Sequence, residues 1–281
     1  MRKFFDYAWR ILLATVLLTV ISFISWRYLV RLNEVFGPGL SPRSMFLWLL
    51  VSHLLTIGVL AYPTVRSRWY GTQLASAIFV VYFGVNYFMV FSRVVLMAPE
   101  AMPPSEAALM VAHGFLVSLL FSFVLVALMG KMHERQTVAE STRLHLPVSE
   151  WLWKLAVCAG ALVLMHALSS RFFWPLGLQA YYERVGVRPL EQRLIIEAGR
   201  GLLLVAFLLP VVKMLKGDRL DAAMACALLL SVLGSVAGLI IPSTRAVSDG
   251  LRIMLLLEGG LTLFIYGFLV GYLFSRRPAH V

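Results

Sequence analysis

Residues 194–212 read LIIEAGRGLLLVAFLLPVV, and whether this stretch crosses a membrane decides which side every later segment lies on. Only Gly201 to Val212 is free of charge, a run of twelve residues with Pro210 near its end. At about 1.5 Å of rise per residue, twelve residues reach only ~18 Å into a hydrocarbon core of roughly 30 Å. The segment therefore has two options. It borrows the preceding turns, which carry Glu197 and Arg200, or it lies partly re-entrant.

Seven other apolar runs surround it, at residues 11–26, 44–62, 72–92, 107–130, 155–170, 222–242 and 253–275, and charges bracket most of them. Eight spans of roughly 20 residues would use about 160 residues, more than half of the chain. Apolar residues make up 60% of the 281 positions and charged residues 14%, against about 25% charge in a soluble domain. Mean hydropathy is +0.84. The expectation is an all-α, polytopic transmembrane bundle of about eight spans, a single integral membrane domain over residues 1–281. The polar segment 131–150, KMHERQTVAESTRLHLPVSE, divides it into possible four-helix halves at 1–130 and 151–281.

The formal net charge is +11. In a soluble protein that would raise nucleic acid as a partner. Here the basic residues flank apolar runs, where they meet lipid headgroups and set topology, so no nucleic acid is expected. The two cysteines, Cys158 and Cys226, sit inside apolar runs with no CxxC partner, which argues against a thiol redox pair or a cysteine metal site. Arg2 and Lys3 precede the first run as in a signal peptide. Asp6, Trp9 and Arg10 intervene and no small-x-small site closes the run, so a retained first helix is expected.

With eight spans, fourteen of the 25 Lys and Arg fall on the side of the two termini and eleven on the other. That bias places both termini in the cytoplasm. All five lysines lie on the inner side, whereas the outer side carries arginine only. The outer segment 172–200 holds Trp174, Tyr181 and Tyr182, framed by Pro175 and Pro189, and reads as an amphipathic element at the membrane surface. Faint internal echoes, Trp9-Arg10 against Trp153-Lys154 and YPTVR at 62–66 against IPSTR at 241–245, do not share one offset and are ordinary membrane patterning.

Polar residues within the spans carry the functional signal. His53, Asn86, His113, His166 and Glu258 lie in five different spans. Counted at about 1.5 Å per residue from the outer ends, all lie in the outer half or near the midplane. Only the position of Glu258 depends on residues 194–212 crossing. Arg27, Arg93, Arg171, Arg200, Arg245 and Arg252, with Glu197, form a rim above this layer. Arginine presents a planar fork of donors suited to phosphate or carboxylate.

The absences narrow the field. There is no HExxH, no Walker A motif, no DDxxD-type cluster, no glycine-rich filter, and no Asp within the spans. No metal site is expected. These features lead to an integral membrane protein binding an anionic, phosphate-bearing lipid or lipid-linked substrate for group transfer or translocation. Glu258, His113, His166 or His53 would be the acid or base. Arg27, Asn86, Arg93, Arg171, Arg200, Arg245 and Arg252 would bind the ligand. Three alternatives stay open: a proton-coupled or lipid transporter using Glu258, a haem b electron carrier ligated by His53 and His113 or His166, and a non-enzymatic subunit of a membrane complex. The expected partners are membrane lipids and other membrane subunits, and the expected location is a bacterial cytoplasmic (inner) membrane.

Overall fold

The computed structural model describes residues 2–26, 41–98, 100, 103–133, 147–173, 178–184, 186–241 and 249–275. Residues 134–146 of the polar connection, and Trp174 and Pro175, lie outside them. The described chain is an all-helical, polytopic membrane bundle with eight helices long and apolar enough to span.

Helix α1 is Arg2–Ser25 and α2 is Pro42–Val65. Ser41 starts α2 by accepting a hydrogen bond from the Ser44 amide at 3.1 Å, and Pro42 occupies the first turn, where its missing N–H costs nothing. The third span, α3, is α-helical over Gly71–Val81, widens into π turns over Tyr82–Phe88, and is α-helical again over Met89–Met97. Then come α4, Pro104–Leu128, and α5, Val148–Phe173. A short helix α6, Leu178–Arg184, precedes α7, Leu190–Met214. The span α8 runs Arg219–Ser231, has π turns at Val232–Val236 and ends at Ala237–Leu239. Helix α9 is Asp249–Phe274.

The ambiguous segment crosses. Helix α7 has 25 residues, about 37 Å at 1.5 Å each, and Arg193, Glu197 and Arg200 are all buried in it. The borrowed-turn option is therefore the one realised. Its charges are tolerated because they face partners inside the bundle rather than lipid. Helix continues through Pro63 and Pro210, as proline permits in spans whose neighbours support the freed backbone groups.

At the end where α2, α4 and α7 finish, the short connections are tied together. Ser67 and Leu215 form an antiparallel bridge. The Arg68 amide donates to Met214 O at 2.7 Å and the Lys216 amide to Arg66 O at 3.0 Å. Lys131 Nζ donates to Ser67 O at 3.1 Å. Arg66 pairs with Asp221 at 2.9 Å. Asp221 follows Asp218, whose side chain caps the start of α8 at 2.8 Å.

Outward faces carry exposed Leu12, Val16, Leu54, Leu116, Leu120, Leu164, Leu168, Leu257 and Leu261, an apolar coat suited to lipid. Inside, Ile78, Tyr82, Phe121, Leu125, Leu208 and Tyr266 are buried. Among the described residues, α8 and α9 share the most extensive helix contact. A Cβ on Gly267 would stand 2.5 Å from Cys226 O, and one on Gly271 would stand 2.6 Å from Ala222 O and from Ala223 Cα. Two glycines four apart on α9 thus let its backbone lie against the backbone of α8, the small-residue packing of membrane helices.

Candidate functional site

Arg193, Glu197 and Arg200 are spaced i, i+4 and i+7 along α7, so they share one helix face. That face turns inward, and Glu197 is only 1% exposed. Arg200 Nη1 donates to both Glu197 carboxylate oxygens at 2.5 Å. From α3, Arg93 Nε stands 3.6 Å from Glu197 Oε1. From α5, His166 Nδ1 stands 3.8 Å from the same oxygen. One carboxylate therefore gathers two guanidinium groups and an imidazole from three helices.

A second carboxylate faces this group from α9. Glu258 is buried; the Ser169 hydroxyl of α5, which shares its one proton with His166 O at 3.0 Å, stands 3.3 Å from one of its oxygens, and Tyr182 of α6 donates to the other at 2.9 Å. This contact fixes the role of α6 in the fold. Leu178 is buried and Tyr182 turns into the bundle. The guanidinium of Arg193 lies 5.9 Å from the Tyr182 ring centre and within electrostatic reach of Glu258, Glu197 and Arg93. Two carboxylates and three arginines thus form one connected charged group.

Between them lies a small cleft of about 20 Å³, lined by Arg93, His166, Ser169, Glu197, Arg200, Glu258, Gly259 and Thr262, with Leu162 and Leu263 as its apolar wall. Two nitrogens of its lining residues, His166 Nε2 and Arg200 Nε, are buried without a hydrogen-bond partner among the described residues. Buried polar groups in folded proteins are satisfied in the great majority of cases, so an unmatched pair beside a cleft invites a partner from outside the chain. One residue past Arg200, Tyr266 donates to Gly201 O at 2.7 Å and pins α7 to α9.

The other two intramembrane histidines belong to a different group. His53 sits between hydroxyls of α1, with Thr19 Oγ1 3.0 Å from Nδ1 and Ser22 Oγ 3.4 Å from Nε2. His113 Nδ1 lies 2.7 Å from Ser25 Oγ, and its ring meets Trp26 and Tyr87 edge-on at 5.5 and 6.0 Å. The two rings are close enough to interact electrostatically. Both ring nitrogens of His53 are thus engaged by hydroxyls, whereas Nε2 of His113 is buried without a hydrogen-bond partner among the described residues. Among the described residues no group of three or more His, Cys, Asp and Glu is placed to hold a metal ion.

The single polar layer expected from depth therefore divides. His166, Glu258, Arg93 and Arg200 come together at the cleft, whereas His53 and His113 gather on α1. Asn86 is half-buried in the π turns of α3, Arg171 is exposed and Arg252 is half-buried, and none of the three lines the cleft. Arg27 and Arg245 lie outside the described residues. The sequence puts Glu197 on the rim, gives no role to Arg193 or Ser169, and reads Tyr182 as an interface aromatic of the surface element. The signal for the first two was present as the one-face spacing 193, 197, 200. No local pattern announces Ser169 or Tyr182, because their meeting with Glu258 is made by tertiary packing.

No protein-family model, curated protein or solved structure matches this chain.

Proposed function

We propose that this membrane protein binds an anionic, phosphate-bearing lipid headgroup, or a lipid-linked substrate with such a headgroup, in the cleft between α3, α5, α7 and α9. The observation that carries the reading is the pair of guanidinium groups in the cleft lining. Arg93 and Arg200 line it with Glu197 and Glu258, each carboxylate already has a donor, and Arg193 stands within electrostatic reach outside the lining. Arg200 Nε is a donor without a partner among the described residues, and Leu162 and Leu263 form an apolar wall. A headgroup oxyanion would accept from this nitrogen while its tail remains in lipid. Arg93 is the natural point of first contact, since its side chain is 34% exposed while the Glu197 it approaches is buried. Group transfer or translocation of the bound lipid would be built on this binding step.

Native mass spectrometry of the protein in detergent, with added dioleoylphosphatidylglycerol or dioleoylphosphatidylcholine, tests the reading. The anionic lipid is expected to bind preferentially. Arg93→Gln should weaken it about tenfold or more, the worth of one charge-assisted hydrogen bond. Arg171→Gln, outside the cleft, should leave it nearly unchanged. Soluble glycerol 3-phosphate should not displace the lipid, because it lacks the tail. Equal retention of the two lipids by the wild type would overturn the proposal.

The same reading places the cleft in the outer half of a bacterial cytoplasmic membrane, with both termini inside. Single cysteines at Glu106 and Lys216, both exposed, check this against a low background, since the native Cys158 and Cys226 are buried. In intact cells an impermeant maleimide should label Glu106→Cys and spare Lys216→Cys. The reverse pattern would invert the orientation.

A further inference from the structure

Resting on that anionic-lipid reading, we infer that the headgroup carries a hydroxyl beside its phosphate, and that His166 receives the hydroxyl. His166 is 5% exposed and lines the cleft. A neutral imidazole has one donor nitrogen and one acceptor nitrogen. Its Nδ1 faces Glu197 Oε1 at 3.8 Å, and a carboxylate engaged by arginine attracts a proton and has none to give. At 3.8 Å the pair is an electrostatic contact rather than a hydrogen bond, and it favours the ring proton on Nδ1 with Nε2 left as the acceptor. A neutral ring also adds no further positive charge to the surrounding Arg93, Arg193 and Arg200.

Nε2 is the buried nitrogen without a hydrogen-bond partner. Among the described residues nothing donates to it. The Ser169 hydroxyl is directed to Glu258 and to the His166 carbonyl, and the Tyr182 hydroxyl to Glu258. What satisfies Nε2 must come from outside the described residues, and it must be a donor. Arg200 Nε, also unmatched, is a donor and needs an acceptor. A bare phosphate or a methyl-capped phosphodiester meets only the second requirement. A glycerol- or sugar-phosphate headgroup meets both, with an oxyanion at the arginines and a hydroxyl at the imidazole.

Two lipids separate these cases. Dioleoylphosphatidylglycerol and dioleoylphosphatidylmethanol carry the same phosphodiester charge and the same tails, and only the first has headgroup hydroxyls. Binding by native mass spectrometry should favour the glycerol lipid about tenfold, the loss expected when a buried acceptor is left unpaired. In His166→Phe the preference should vanish while the methanol lipid still binds. In His166→Gln, whose amide oxygen can accept, much of it should return. Equal wild-type affinity for the two lipids overturns this inference and leaves the anionic-lipid reading standing. Failure of both lipids to outcompete dioleoylphosphatidylcholine overturns the reading beneath it. The wild-type comparison needs no variant, so the test holds even where His166→Phe does not fold. A preference that persists in folded His166→Phe also overturns the inference.

Discussion

Gly271→Leu is expected to abolish the folded, detergent-stable protein. A Cβ at Gly271 alone would stand 2.6 Å from Ala222 O and Ala223 Cα, and Gly267 makes a similar approach to Cys226 and Ala227. These neighbours are backbone atoms of α8, so no rotamer change relieves the clash, and the two helices must move apart. Overpacking an ordinary core costs about 1–3 kcal/mol, where side chains can shift. Here the cost should exceed that range, because separation removes close packing along the most extensive helix contact in the bundle. Gly271→Ala should act in the same direction and more weakly. Gly160→Ala on α5 is the contrast, since nothing lies within 4 Å of the added atom. It should be neutral or slightly stabilising, as Ala is the better helix former. Size-exclusion profile and thermal unfolding in detergent measure all three. A Gly271→Leu protein that elutes and melts like the wild type would show that α8 and α9 do not rely on this contact.

That glycine pair, GFLVG at 267–271, was readable in the sequence, yet reading for polar residues passed over it. The spans themselves were legible because membrane insertion imposes a simple rule, long apolar runs ended by charge. Residues 190–200 were harder for a physical reason. A window rule counts Arg193, Glu197 and Arg200 as obstacles to crossing, whereas in the fold they are mutual partners whose charges are satisfied within the bundle. Depth along each helix puts His166 and Glu258 in one layer, and both line the cleft. It could not say which neighbours they meet, since helices at equal depth can stand on opposite sides of a bundle. So His113, at similar depth, faces Ser25 and Trp26 instead. The π turns at 82–88 and 232–236 left no composition signal at all. They shift the rotation of everything beyond them on their helices, Arg93 included.

The second large effect is expected at the Glu197–Arg200 pair, and its pattern matters more than its size. Removing one partner of a buried ion pair costs about 3–5 kcal/mol, because the other charge is left uncompensated. Glu197→Gln should be the harsher change. It strands Arg200 and also removes the carboxylate that Arg93 approaches at 3.6 Å. Arg200→Met still leaves Glu197 with Arg93 and His166 nearby. The double variant Glu197→Gln, Arg200→Met removes both charges and should melt well above the sum of the single losses, the coupling that a double-mutant cycle isolates. Additive losses would mean that the pair does not act as a unit. The pair also joins stability to the proposed function. Glu197 is the internal anion with which an anionic headgroup competes for the arginines. In Glu197→Gln that competitor is gone, so dioleoylphosphatidylglycerol should raise the melting temperature of this variant by more than it raises that of the wild type, as expected of a ligand bound more tightly to the folded state. Equal stabilisation of the two proteins would place the lipid away from Glu197 and its arginines.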